Sequence, residues 1–423
     1  MIAPGAVLAG VLRAAGHDPA DAGRVALAGA DPVLPSAFAL GTAGMAGLGA
    51  VGIAADECWR ARGGGPQRIA IDARRAAFAL RTERHVLLDG KPPQSPWSPV
   101  SGFYRAGDGR WIQFHCNFPH HRDGVLHRLG ATEDRADVAR LVAGWEAQSL
   151  EDALADDGMC AAMLRTRAEW RAHPQGQAVA ALPLITVERI GDGPPRRVGD
   201  GTTAAGRPLA GVRVLDLTRV IAGPVAGRTL AEHGATVMRL SAPHLPFVAP
   251  LLLDTGHGKV NASVNLDTED GRARLGALVA DADVFVQSYR PGALAARGFG
   301  AEDLAARRPG IVHVALSAYG DAGPWGGRRG FDTLVQTASG LAAEESAARE
   351  AAGRGDGAPR HLPAQALDYA SGYLAAFGAM LALARRAREG GSWTVTVALA
   401  ATAHWLDGLG RIDPAIAHAI PDP

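Results

Sequence analysis

PLAGVRVLDLTRVIAGPVAGRTLAEHGATVMRL, residues 208–240, reads strand, turn, helix, strand. Val212 to Leu217 is a short, mostly apolar strand run, and after Thr218 comes the loop Arg219-Val220-Ile221-Ala222-Gly223. Pro224 stands where a first helical turn tolerates proline, because the N–H groups of that turn have no intrahelical partner. His233-Gly234 is a helix-ending signal, and Ala235 to Leu240 supplies the next strand. A βαβ unit of this kind places ligands at the carboxyl ends of its strands, against helix N-termini whose free N–H groups favour anions. The pattern excludes a nicotinamide-dinucleotide site. The turn reads TRVIAGP where G-x-G-x-x-G is needed, and Ser241 stands where an acid for the ribose would follow the second strand.

The 423 residues are enough for two or three domains with substantial cores. A formal net charge of zero gives no bulk electrostatic case for nucleic acid or an anionic membrane. Arginine carries nearly all the positive charge, with Lys91 and Lys259 the only lysines. Cys58, Cys116 and Cys160 are far apart and lack metal-ligand spacing, which suits free thiols in a reducing cytoplasm. The first residues show no charged leader with an apolar core, and no run of about 20 apolar residues is free of charges or helix breakers. The expectation is a cytoplasmic protein with neither membrane nor nucleic acid as partner.

Along the chain, residues 1–96 read as a helical segment. An Ala/Gly-rich helix over 36–60 ends at Arg60-Ala-Arg-Gly-Gly-Gly65, and the strand Arg68–Asp72 comes next. Residues 97–200 read as a small α/β domain and a return segment, with a strand at Trp111–Cys116 after the Asp108-Gly109 turn and a helix ending at Gly130. Pro194-Pro195 and Gly199–Gly206 form a linker. The sheet domain takes 201–345, and 346–423 holds a glycine-rich loop, a second long Ala-rich helix, and a further strand and helix. An internal repeat links the two ends: a shift of 326 positions lays 42–80 on 368–406, with Gly52 on Gly378, Arg60 on Arg386 and Ile69-Ala-Ile71 on Val395-Thr-Val397. Asp368 then corresponds to Thr42, so the first copy reads as structural. The fold class expected is α/β: a Rossmann-like parallel sheet domain, long Ala/Gly-rich helices and a second, smaller α/β domain.

Four blocks occur in order: LAGVRVLDLTRVIAGP (209–224), GRARLGALVADADVFVQSYRPGALAARGFG (271–300), RPGIVHVALSAYGDAGPW (308–325) and RRGFDTLVQTASG (328–340). LPAQALDYASGYLAAFGAMLALARR (362–386) comes after them. In these blocks the sequence resembles the family III CoA-transferases, which include 2-methylacyl-CoA racemases, over nearly all of 208–406. Family members run nucleotide-fold domain, acid-bearing helix, small domain, return segment; here the small domain comes first, so the order looks permuted.

The resemblance implies that Asp368 is the nucleophile, forming an aspartyl-CoA thioester while CoA passes from an acyl-CoA donor to a carboxylic acid acceptor. At a helix start its carboxylate is expected to stay ionised; the bland alternative is a helix-capping aspartate. The loop Gly353–Pro359 is expected to act as a lid. For CoA, the matching positions are Arg219, Val220, Ile221 and Ala222, then Ser288, Tyr289 and Arg290, with Arg239 and Arg329. CoA is a substrate, and no permanently bound cofactor is expected. The racemase branch has a histidine where Phe331 stands, which disfavours α-proton transfer. His115, Cys116, His120, His121 and His127 match no metal-ligand spacing, so no metal is expected, while His120 or His121 is a candidate for the acyl pocket. A homodimer is expected of the family. An acyl-CoA racemase or isomerase, and a non-catalytic CoA-binding partner subunit, remain open as alternatives.

Overall fold

The computed structural model describes residues 2–95, 97–199, 201 and 206–422; of the expected linker, 200 and 202–205 lie outside the described residues. Twelve described strands form three sheets. A two-stranded parallel sheet joins β1 (Val25–Ala28) to β2 (Ile69–Asp72). A three-stranded antiparallel sheet of β3 (Gly102–Arg105), β4 (Trp111–Phe114) and β5 (Ala161–Met163) carries the small unit, whose core includes Tyr104, Ile112, Phe114 and Cys116.

The large sheet contains β6 (Thr186–Gly191), β7 (Arg213–Leu217), β8 (Thr236–Ser241), β9 (Lys259–Ser263), β10 (Val284–Gln287), β11 (Val312–Ser317) and β12 (Ser392–Ala398). Its spatial order is β6-β12-β11-β10-β7-β8-β9. β7 to β12 are mutually parallel, and β6 closes one edge antiparallel. Counted from β7, the parallel strands run 3-2-1-4-5-6, the doubly wound order whose connections reverse direction between the first and fourth strands. That reversal opens a crevice at the carboxyl ends of β7 and β10. The central strands are buried along most of their length, as expected where helices cover both faces of a parallel sheet.

The repeat has a structural counterpart. The long helices Leu40–Ala61 and Ala366–Glu389 start 326 residues apart, as do the helices Ala73–Phe78 and Leu399–Gly408, and β2 lies on the second half of β12. The expected start at 36 is four residues early, because Ser36 and Ala37 are held by Glu345 instead. The two long helices pack directly on each other: Gly47 sits with its missing Cβ 3.6 Å from the Tyr373 Cβ, and Cys58 Sγ donates to the Met380 carbonyl at 3.2 Å. Ala366–Glu389 is the one described helix long and apolar enough to cross a membrane, and its apolar window is wholly buried inside the protein.

Candidate active site

A cavity of about 700 Å³ opens at the switch point. The loop after β7 supplies Arg219, Val220, Ile221 and Ala222, and the loop after β10 supplies Ser288, Tyr289 and Arg290. Ala318 and Leu399 follow β11 and β12, while Arg329 and Phe331 come from the segment before the Asp332–Ala338 helix. His120 and His121 reach in from the small unit, and Asp368 stands in the wall. Nine of the ten candidate residues are thus gathered here. Arg239 is not: it borders a smaller recess shared with Arg219 and Val220, and its Nη1 lies 3.5 Å from Asn261 Oδ1.

Asp368 is the third residue of its helix and 7% exposed. It is not the cap. Asp332 performs that task, its Oδ2 accepting the Asp368 amide at 2.9 Å and its carboxylate also bonding the Leu367 amide. Among the described residues nothing hydrogen-bonds the Asp368 carboxylate. Burial, then the neighbouring Asp332, then Glu83 hold its pKa well above the usual carboxylate range, so the expected ionised acid is corrected to one with a raised proton affinity. The helix terminus loses to desolvation because Asp332 has already taken the amides that would have stabilised the charge. The first copy repeats this cap: Asp31 Oδ1 and Oδ2 accept the Gly41 and Thr42 amides at 2.8 Å each.

The loop after β7 rests on a buried ion pair. Lys259 Nζ reaches Asp216 at 2.7 Å with both side chains 0% exposed, and also donates to the Pro224 carbonyl at 2.7 Å. Asp216 accepts the Thr218 amide at 3.0 Å and the Thr218 hydroxyl. Both ends of the loop are therefore tied to one charge pair, and Val220 between them is held at φ 73°, a left-handed conformation costly for a β-branched residue. Gly372 lets the acid-bearing helix approach this loop, since a Cβ there would stand 2.6 Å from the Ala222 carbonyl oxygen. Arg219 packs its guanidinium over Phe118 at 5.2 Å, and no acidic side chain pairs with it among the described residues. Burial lowers its pKa, and the guanidinium groups of Arg239 and Arg329 lower it further.

The histidines do not form one ligand set. Cys116 lies in the core of the small unit, whereas His115 stacks on Phe331 at 3.7 Å between ring centroids. Burial pushes His115 down to about 4 and His121 to about 3. His121 Nε2 lies 3.7 Å from Cys160 Sγ and 3.4 Å from Arg329 Nη1. The expected lid does not reach the acid: no residue of 353–360 lines the cavity. Gly357 bonds Glu350 and Arg360 bonds Ser346, which pins the loop to the helix before it. The role of Lys259 was not readable from the chain, although Asp216 inside the apolar run VRVLDL and one of only two lysines were visible anomalies. Asp332 in RRGFD reads as an acid that caps or packs, and it caps the acid-bearing helix.

Residues 209–410 match the family model described as CoA-transferase family III. This segment belongs to CoA-transferase family III. The acetyl-coenzyme A transferase nodX of Hypoxylon pulicicidum is 31% identical over 327 residues, covering 73% of this chain and 54% of the relative. The probable fatty acyl-CoA transferase Rv3272 of Mycobacterium tuberculosis is 35% identical, covering 47% of this chain and 52% of its own. Mouse succinyl-CoA:glutarate CoA-transferase is 36% identical over 44% of this chain and 43% of its own. The chain therefore spans about half the length of the curated relatives it matches. A crystal structure of Rv3272 aligns at 33% identity over 48% of this chain and 57% of that one, with a TM-score of 0.41.

Proposed function

We propose that the protein transfers CoA from an acyl-CoA to a carboxylic acid, with Asp368 as the nucleophile. The observation that carries this reading is a buried carboxylate, with no hydrogen-bond partner among the described residues, facing a cavity of about 700 Å³ that Arg219, Arg290 and Arg329 also line. Family membership of the segment and the CoA-transferase names of its relatives support it.

In the cycle, the Asp368 carboxylate attacks the thioester carbonyl, the C–S bond breaks, and CoA leaves as thiolate. The thiolate then attacks the aspartyl carbonyl of the mixed anhydride, releasing the donor acid and leaving an aspartyl-CoA thioester. The acceptor carboxylate repeats the two steps in reverse, and Asp368 is regenerated. Each step exchanges one acyl bond for another, so no oxidant, metal or external base is required. Arg219, Arg290 and Arg239 would pair with phosphates, and Tyr289 would stack near the adenine. The acid must be ionised to attack, which places activity on the alkaline side of its raised pKa.

The test is intact mass after mixing with a panel of acyl-CoAs. Native protein is expected to gain a CoA-sized adduct that borohydride reduces, and Asp368→Ala to gain none. Absence of an adduct from the native protein while CoA still binds would overturn the covalent route. Phe331 in place of a proton-transferring group leads to a second expectation: no deuterium enters the α-carbon of a branched acyl-CoA in heavy water.

A further inference from the structure

Of the guanidinium groups that line the cavity, those of Arg219, Arg290 and Arg329 have no acidic partner among the described residues. Arg297 is held by Asp267 at 2.9 Å, and Arg328 reaches Glu151 at 3.6 Å. Arg219 and Arg290 stand on the loops after β7 and β10, where the phosphates of CoA are expected. Arg329 is fastened to the small unit instead. Its Nη1 donates to the Gly158 carbonyl at 2.7 Å and stands 3.4 Å from His121 Nε2, on the Pro119–Leu129 helix. Both hydrogens of Nη1 are thereby taken.

His121 brings no negative charge to that contact. Its Nε2 faces the Arg329 N–H and, at 3.7 Å, the Cys160 thiol, so Nε2 is the acceptor and the ring, 4% exposed, is neutral. The other edge of Arg329, formed by Nε and Nη2, is free. No described residue accepts from it, and neither nitrogen is sealed in the interior as the Nε atoms of Arg228 and Arg386 are. These two nitrogens form the planar fork that receives both oxygens of a carboxylate. Phe331 and Asp332 join Arg329 to the acid. The Phe331 ring lines the cavity, stacked on His115 at 3.7 Å between centroids, and Asp332 holds the Asp368 amide at 2.9 Å. Three residues of chain span at most ~10 Å, so Arg329 stands no further than that from Asp332 at Cα.

We propose that the Nε/Nη2 edge of Arg329 is a subsite for a second carboxylate, so that the acid this protein loads with CoA is a short dicarboxylate. One carboxyl group exchanges CoA at Asp368, the other pairs with Arg329, and the carbon chain between them lies along Phe331. This deepens the transferase reading and rests on it. Arg329, expected at the CoA, is thereby assigned to the acid. It takes no part in bond making: the thioester, anhydride and aspartyl-CoA bonds form and break as in the cycle above, and the distal carboxylate stays ionised throughout. A monocarboxylate would leave the fork cut off from water inside the loaded cavity with nothing to pair it.

Two thioesters on the purified full chain test this: glutaryl-CoA and pentanoyl-CoA, which share the CoA and the carbon chain and differ in the terminal carboxylate. Adduct formation is expected to be about 10²-fold more efficient with glutaryl-CoA. Arg329→Gln should shrink that ratio below about tenfold by slowing the glutaryl-CoA reaction, and Arg329→Lys, which keeps the charge and loses the fork, should fall between. Free glutarate, titrated calorimetrically, is expected to bind the native protein and to lose affinity in Arg329→Gln. Should the glutamine variant not fold, the native ratio and Arg329→Lys decide. Equal efficiency with the two thioesters in the native protein overturns the proposal. So does a ratio that Arg329→Gln leaves unmoved while affinity for CoA falls, which returns Arg329 to the phosphates. If neither thioester gives an adduct, glutarate binding that depends on Arg329 keeps the subsite and overturns the transferase reading, and absence of glutarate binding overturns both.

Discussion

Lys259 is the residue whose loss should be felt first. Its ammonium and the Asp216 carboxylate are both fully out of water, and each end of the loop after β7 hangs from the pair. Lys259→Met leaves a buried uncompensated carboxylate, expected to cost about 3–5 kcal/mol in denaturant unfolding. Asp216→Asn added to it should cost less than the two singles summed, because the second change removes the orphaned charge. At this scale the sequence was legible where the motif was continuous. Asp368 and the Arg219–Ala222 and Ser288–Arg290 runs stand in unbroken blocks, and the structure gathers them at one cavity. The protonation state of Asp368 was not legible. It depends on Asp332, 36 residues away in the chain, and on Glu83, far away near the N-terminal end, and no local pattern announces that dependence.

Among the elements, the contact between the acid-bearing helix and the loop after β7 governs the site. Gly372 allows it, and a methyl group there would stand 2.6 Å from the Ala222 carbonyl oxygen. Gly372→Ala is expected to push helix and loop apart, with an overpacking cost of about 1–3 kcal/mol in unfolding experiments. Adduct formation should slow by about 10²-fold, the penalty for displacing reacting groups by roughly 1 Å. Strands and long helices were largely readable, since valine-rich runs bounded by glycine and a 326-residue periodicity leave local marks. The lid was misjudged for a physical reason. Glycine-rich composition in Gly353–Pro359 permits movement, but Glu350 and Ser346 supply partners that hold the loop away from the cavity.

The whole molecule carries buried acids whose titration sets its stability. Glu345 accepts Ser36 Oγ at 2.8 Å and the Ala37 amide at 3.1 Å, with His418 Nε2 at 3.4 Å and Arg349 and Arg411 nearby, and burial lifts its pKa to about 7. The folded chain therefore keeps a proton that the unfolded chain releases between about pH 4.5 and 7. Stability from this group is complete below the unfolded value and falls as pH rises through the folded one. Glu345→Gln should leave stability at pH 4 unchanged and raise it at pH 8 by on the order of 1–3 kcal/mol, read from urea midpoints at the two values. Buried His115 and His361, pushed down to about 4 and about 3, act in the opposite sense: their contribution is whole above about pH 6.5 and is lost as pH falls toward those values.

The packing of one long helix on the other also bears on how the chain is made. The Ile2 amide bonds the Leu409 carbonyl, the Ile412 amide bonds the Ala37 carbonyl, and Cys58 meets Met380. These contacts close over more than 300 residues. During synthesis the first copy emerges as a nascent segment with its apolar Leu40–Ala61 helix already complete, yet the helix that sheathes it has still to leave the ribosome. At about 5–20 residues per second that gap lasts tens of seconds, and the segment spends it exposed to chaperones and proteases. A chain released before residue 366 lacks that sheath altogether, so ribosomal drop-off products should surface in the insoluble fraction or be degraded.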